Sequence, residues 1–214
     1  MIKKILLVLT VLFSPLMSAT GMAENGPLSL KSITGGEFYA HGIYGVNPLA
    51  DGESYSQLVD GKRIVVSSFK TGEQTGVLFD ADNTKGKVKV SRIDGYIMSP
   101  NQKNILLRTQ TQSIYRHSTT AVYYIYNVQN RTLAPLSDGG PQECPLWSPD
   151  GNMVGFVREG NLFLVKLLFD NAEVQITKDG KFNSIINGKA DRVYEEEIAT
   201  NRSLHVNADA TIPA

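Results

Sequence analysis

The pentapeptide Trp147-Ser148-Pro149-Asp150-Gly151 restricts the possible folds of this chain more than any other segment. Proline presets the dihedral that opens a tight turn, aspartate bonds to the backbone beyond it, and glycine tolerates the conformation that closes it. Short apolar runs follow at 153–157, 162–166 and 173–177, divided by Arg158-Glu159-Gly160-Asn161 and stopped by Lys178-Asp179-Gly180. With the residues leading into Trp147, this spacing predicts a four-stranded antiparallel meander.

The turn has echoes. Val59-Asp60-Gly61, Ser99-Pro100-Asn101-Gln102 and Asn207-Ala208-Asp209-Ala210 hold comparable places beside apolar runs. Aligning Asp60, Asn101, Asp150 and Asp209 gives unequal intervals of about 40 to 60 residues. Further strands are predicted at 64–69, 76–79, 104–108 and 121–128, the last turning at Gln129-Asn130-Arg131 into Thr132-Leu133. Helical periodicity is scarce. Four-stranded units recurring at this spacing predict an all-β fold, a β-propeller of about three to four blades; a β-sandwich with coincidental turns is the alternative. The fourth turn comes just before Ala214, which predicts an incomplete propeller.

Charge is balanced, 21 basic against 21 acidic residues, and no basic stretch offers the concentrated positive surface that a nucleic-acid partner needs. At the N-terminus, Lys3 and Lys4 precede an apolar run from Ile5 to Phe13, then Pro15 and small residues. This is the pattern of a signal peptide over 1–23, cleaved after Ala19 or Ala23, with a retained anchor as the minor alternative. The expected location is periplasmic or cell-envelope associated, with 24–214 as the mature propeller portion. The lone Cys144 cannot form an internal disulfide and is expected to be a buried structural thiol.

The segment Asp191-Arg192-Val193-Tyr194-Glu195-Glu196-Glu197 places three acids in a row. Adjacent carboxylates repel, so such a run needs open water or a cation. An ammonium group offers three N–H donors and no acceptor, which two converging carboxylates satisfy. The run therefore reads either as a solvated acidic turn or as a pocket for a peptide's free amino terminus.

Three segments, in order and spacing, carry a family resemblance over approximately residues 28–207: Tyr115-Arg116-His117-Ser118 before a tyrosine-rich strand, the pentapeptide at 147–151, and the run from Asn187 through Glu197. They resemble the N-terminal β-propeller of the dipeptidyl peptidase IV family of serine peptidases. The resemblance implies a short helical segment at the acidic motif, projecting into a cavity shared with an α/β-hydrolase domain. It implies that Glu196 and Glu197 clamp the substrate's ammonium group, and that Arg116 contacts the carbonyl region near that end. Pinning the amine would set the second peptide bond at the nucleophile, releasing dipeptides with Pro or Ala second. A homodimer is implied for full-length members. The chain departs from the family at Arg192, where Trp is usual; a cation there is expected to pair with Glu195 or compete for the clamp.

No G-x-S-x-G nucleophile elbow occurs in the 214 residues, and none of His41, His117 and His205 stands beside one. No catalytic residue is assigned, and His117 is read as structural or cavity-lining. Metal-binding patterns are absent, and Asp80-Ala81-Asp82-Asn83 reads as a turn, so no metal or cofactor is expected. Asn130-Arg131-Thr132 and Asn201-Arg202-Ser203 fit a glycosylation sequon, a pattern common by chance. Trp147 is expected in a blade core. The expected function is the substrate-orienting propeller portion of an exported dipeptidyl peptidase, inactive without its catalytic domain. A stand-alone binding or scaffold propeller and a non-functional gene remnant are the alternatives.

Overall fold

The computed structural model describes residues 28–39, 44–182 and 184–207. The expected signal peptide, His41 and the turn residues 208–210 lie outside them. The chain divides into two units, 1–43 and 44–214. In the first, the helix α1 (Leu30–Thr34) is closed at its start by a capping box between Ser29 and Ser32.

The second unit contains three antiparallel sheets of four strands, each in sequential order. The first comprises β1 (Asn47–Pro48), β2 (Ser54–Val59), β3 (Arg63–Ser68) and β4 (Gln74–Asp80). The second comprises β5 (Gly95–Met98), β6 (Asn104–Ser113), β7 (Thr119–Asn127) and β8 (Thr132–Pro135). In the third, β9 (Glu143–Trp147), β10 (Met153–Arg158), β11 (Asn161–Lys166) and β12 (Ala172–Gln175) form the expected meander. These are propeller blades, three of them among the described residues, fewer than a closed ring typically uses.

Alternation along β6 and β7 explains how the blades stack. Ile105 and Leu107 join Ile64, Phe79 and Tyr126 in a core between the first and second blades. Leu106 points the other way, with Tyr123 and Ile125, into a core with Trp147, Val154, Phe156 and Phe163 of the third. Successive side chains of a strand face opposite sides, so a continuous apolar run suits a strand buried on both. Trp147 is a blade-core residue, as expected, and its indole N–H donates to the Ile97 carbonyl at 3.1 Å, joining the third blade to the second. Tyr96 does the same one seam earlier, its hydroxyl 2.8 Å from that of Ser56.

The repeat is more regular than the sequence alignment implied. In each blade the turn between the first two strands is closed by the same bonds: Gly52, Gln102 and Gly151 donate to Leu49, Ser99 and Ser148. The side chains of Asp51, Asn101 and Asp150 each accept a backbone N–H from two residues on. Asp51, and not Asp60, is therefore the first-blade counterpart, and the repeat becomes an even one of about 50 residues. Asp60 lies between the second and third strands, where an Asp-Gly pair serves a different hairpin.

Two further expectations change. The strand predicted at 104–108 runs on to Ser113, and the 173–177 strand occupies Ala172–Gln175. Asp80 accepts from the Asp82 amide at 3.0 Å and caps a short turn of 3-10 helix, consistent with the turn reading. Among the described residues, no helix is long and apolar enough to cross a membrane.

Candidate functional site

Beyond Arg108, β6 loses its pairing with β5 and continues with β7 alone. The register shifts between Thr109 and Gln112, with Gln110 at φ 52°, so a bulge re-aims the hairpin. Residues 114–118 close this arm, the amides of Ile114 and Tyr115 donating to the Ser118 carbonyl. Arg116 sits at its tip.

The acidic motif is the expected short helix, α2 (Arg192–Ile198). Asp191 caps it, its carboxylate accepting from the amides of Val193 at 2.9 Å and Tyr194 at 3.0 Å. Ala199, in the left-handed region at φ 56°, ends it. The segment holding α2 is anchored on the far face of the third blade. Leu204 is buried there against Gly155, and Gly188 lies so close to Val157 that a Cβ would meet its side chain at 2.9 Å.

Consecutive residues of a helix point about 100° apart, so three adjacent acids cannot share one environment. Glu195 turns inward and is only 4% exposed. One of its oxygens, Oε1, accepts from the backbone N–H groups of His117 at 2.8 Å and Ser118 at 2.7 Å. Loss of water around this carboxyl works to raise its pKa, but the amides of His117 and Ser118 outweigh it and hold the group below the ordinary glutamate value. Glu196 meets the arm's tip, its Oε2 3.5 Å from Arg116 Nε. Glu197 is exposed.

The structure thus brings together Arg116 and Glu196; Glu197, next in sequence, is exposed and makes no hydrogen bond or ion pair with either. Arg192 does not pair with Glu195. Its guanidinium lies over the Tyr115 ring, 5.2 Å from the centroid. His117 is exposed, and its main chain does the structural work: the Asn201 side-chain amide donates to its carbonyl at 2.7 Å. Asn201, legible in the sequence only as part of a sequon, is thereby a constituent of the site, and no sequence signal marked it. Cys144 is half-buried rather than buried. Burial first, then the Glu143 carboxylate, pushes its thiol up to about 11, and the protonated thiol donates to the Asn201 carbonyl at 3.2 Å.

Behind the helix lies a cavity of about 450 Å³, walled by Ile114, Tyr115, Phe182, Ile185, Ile186 and Glu195. Arg116, Glu196 and Glu197 are not among its lining residues, so the charged tip lies outside this cavity. Among the described residues, no cluster of three His, Cys, Asp or Glu side chains suits a metal ion.

Blades of this kind, with a cationic hairpin tip set against an acidic helix, define a propeller module with a small charged site. Residues 99–211, just over half of the chain, match the family described as the dipeptidyl peptidase IV (DPP IV) N-terminal region, and the chain belongs to that family. Among similar proteins, a probable dipeptidyl-aminopeptidase B of Aspergillus terreus is 31% identical over 215 residues, covering 87% of this chain and 22% of that protein. One from Aspergillus fumigatus is 40% identical over 109 residues, covering 50% of this chain and 12% of that protein. The crystal structure of Porphyromonas gingivalis dipeptidyl peptidase 4 superposes with a TM-score of 0.77 at 38% identity, covering 87% of this chain and 27% of that one. The chain spans about a quarter or less of each relative's length.

Proposed function

We propose that this chain is the substrate-orienting propeller portion of an exported serine dipeptidyl peptidase, and that it grips the free amino terminus of a peptide. The observation that carries this reading is the meeting of Arg116 and Glu196. Two segments far apart in sequence bring a cation and a carboxylate to one partly exposed spot, and the next residue, Glu197, is exposed. An incoming ammonium group would donate to the carboxylates of Glu196 and Glu197, leaving the Arg116 guanidinium to donate to the first carbonyl oxygen of the peptide. Fixing both ends of that first residue sets a distance along the chain, and so favours release of a dipeptide over other products. The bond-breaking chemistry is assigned to an α/β-hydrolase domain of the kind the resemblance implies. Export rests on the N-terminal signal pattern.

Titration of the purified chain with glycyl-proline and with N-acetylglycyl-proline tests the clamp. Binding is expected for the free amine alone, with affinity falling at least about tenfold in Glu196→Ala and Glu197→Ala, as for lost charge-assisted bonds. Equal binding of the acetylated peptide would refute an amine clamp.

A further inference from the structure

Arg116 and Glu196 are too weakly joined to explain why they meet. Their separation is 3.5 Å, and the two side chains are 69% and 29% exposed. Exposed pairs of this sort add little to stability, less than the entropy lost in holding two separate segments together. Something else must fix the hairpin tip against α2.

The buried bonds beside the pair do so. Glu195 reaches from the middle of α2 and takes two adjacent amides of the tip, at His117 and Ser118. Asn201, three residues beyond the helix, takes the intervening carbonyl of His117. The carbonyl of Asn201 in turn accepts from the Ala190 amide at 3.3 Å and from the Cys144 thiol, which tie the residue to the start of the helix and to the third blade. Bonds from an ionised carboxylate to backbone N–H are among the stronger hydrogen bonds of proteins, and burial removes competing water.

We infer that Glu195 and Asn201 are positioning residues of the amine clamp, holding the 116–118 turn on α2 so that Arg116 and Glu196 converge. The inference rests on the clamp reading for its functional meaning, but its geometry can be read without ligand. Glu195 touches no substrate; its place in the acidic run is architectural, and only the two acids after it face the ligand.

The test uses the isotopically labelled 214-residue chain. Amide exchange at His117 and Ser118 and the Arg116 Nε–H resonance are followed in wild type, Glu195→Ala, Glu195→Gln and Asn201→Ala, alongside glycyl-proline affinity and the unfolding midpoint. In Glu195→Ala, exchange at both amides is expected to rise at least about tenfold, and the Arg116 resonance to move to the position of a free arginine. Glu195→Gln, which keeps volume and one acceptor oxygen, is expected to fall between, and it decides the question in the same way if the alanine variant does not fold. Dipeptide affinity should drop in step with the Arg116 shift. An unmoved Arg116 resonance in folded Glu195 variants overturns the positioning role. Failure of wild type to bind glycyl-proline, with the resonance shift still seen, sinks the clamp reading and leaves the latch standing.

Discussion

Gly52, Gln102 and Gly151 occupy the same place in three successive turns, with φ of 69°, 57° and 71°, and only Gln102 carries a side chain there. A left-handed residue other than glycine costs about 1–2 kcal/mol, partly offset by the entropy glycine loses on folding. Gln102→Gly is expected to stabilise the chain by about 0.5–1 kcal/mol, seen as a raised denaturant midpoint without a change in slope. Gly151→Ala should destabilise, since its Cβ would also strike the Asn101 side chain at 2.5 Å. Glu195 makes a prediction in pH. Its pKa is depressed in the folded state, so its contribution is fully present above the ordinary value of 4.5 and is lost as pH falls through the lower folded value. The stability difference between wild type and Glu195→Gln should therefore be constant near neutrality and shrink in acid, as thermal unfolding across pH would record. At this scale the sequence was only partly legible. Arg116 and Glu196 could be singled out because their flanking segments resemble a family in order and spacing. Glu195 could not be told from its neighbours, because three identical residues differ only in helical phase, and that phase is set by Asp191 capping the helix. Asn201 works through its amide on a backbone carbonyl, which leaves no pattern to read.

The elements most easily foreseen were those with a core to alternate against. β10 and β11 are short, apolar and bounded by turn residues, and they fall where expected. The outer half of β6, Thr109–Ser113, was missed because an arm paired only with β7 buries little beyond Thr109, so its Thr, Gln and Ser residues show no apolar alternation. The site depends on that polar arm. The same reasoning separates the effects of substitution along one strand. Leu106→Ala, at the seam of the second and third blades, should cost about 2–5 kcal/mol in chemical denaturation, whereas Gln112→Ala in the arm should change stability by less than about 0.5 kcal/mol. For α2, Asp191→Ala removes the acceptor of two helix amides and should cost about 1 kcal/mol locally. Amide exchange at Val193 and Tyr194 would register it even where global unfolding does not.

At the scale of the second unit, the turn alignment from sequence found the right period and the wrong member. Asp60-Gly61 looks like the other turns because hairpins share chemistry, and only the strand order reveals that Asp51 is the true counterpart. With that shift the blades align, and their cross-links fall into a series: Tyr96 to Ser56 at one seam, Trp147 to Ile97 and Asn101 to Asp150 at the next. Such stacked units unfold together when the seams are strong. Leu106→Ala, which opens one seam, is expected to split a single unfolding transition into two by calorimetry. The middle blade holds a further consequence. Ile105, Leu106 and Leu107 serve two different cores by turns, so removing one residue from that stretch would exchange the cores each later side chain faces. Substitutions among Ile, Leu and Val leave this assignment intact. Over generations, such a strand can drift freely in letters while being held almost rigidly to its count, so gaps in related chains should cluster in the turns and avoid 104–108.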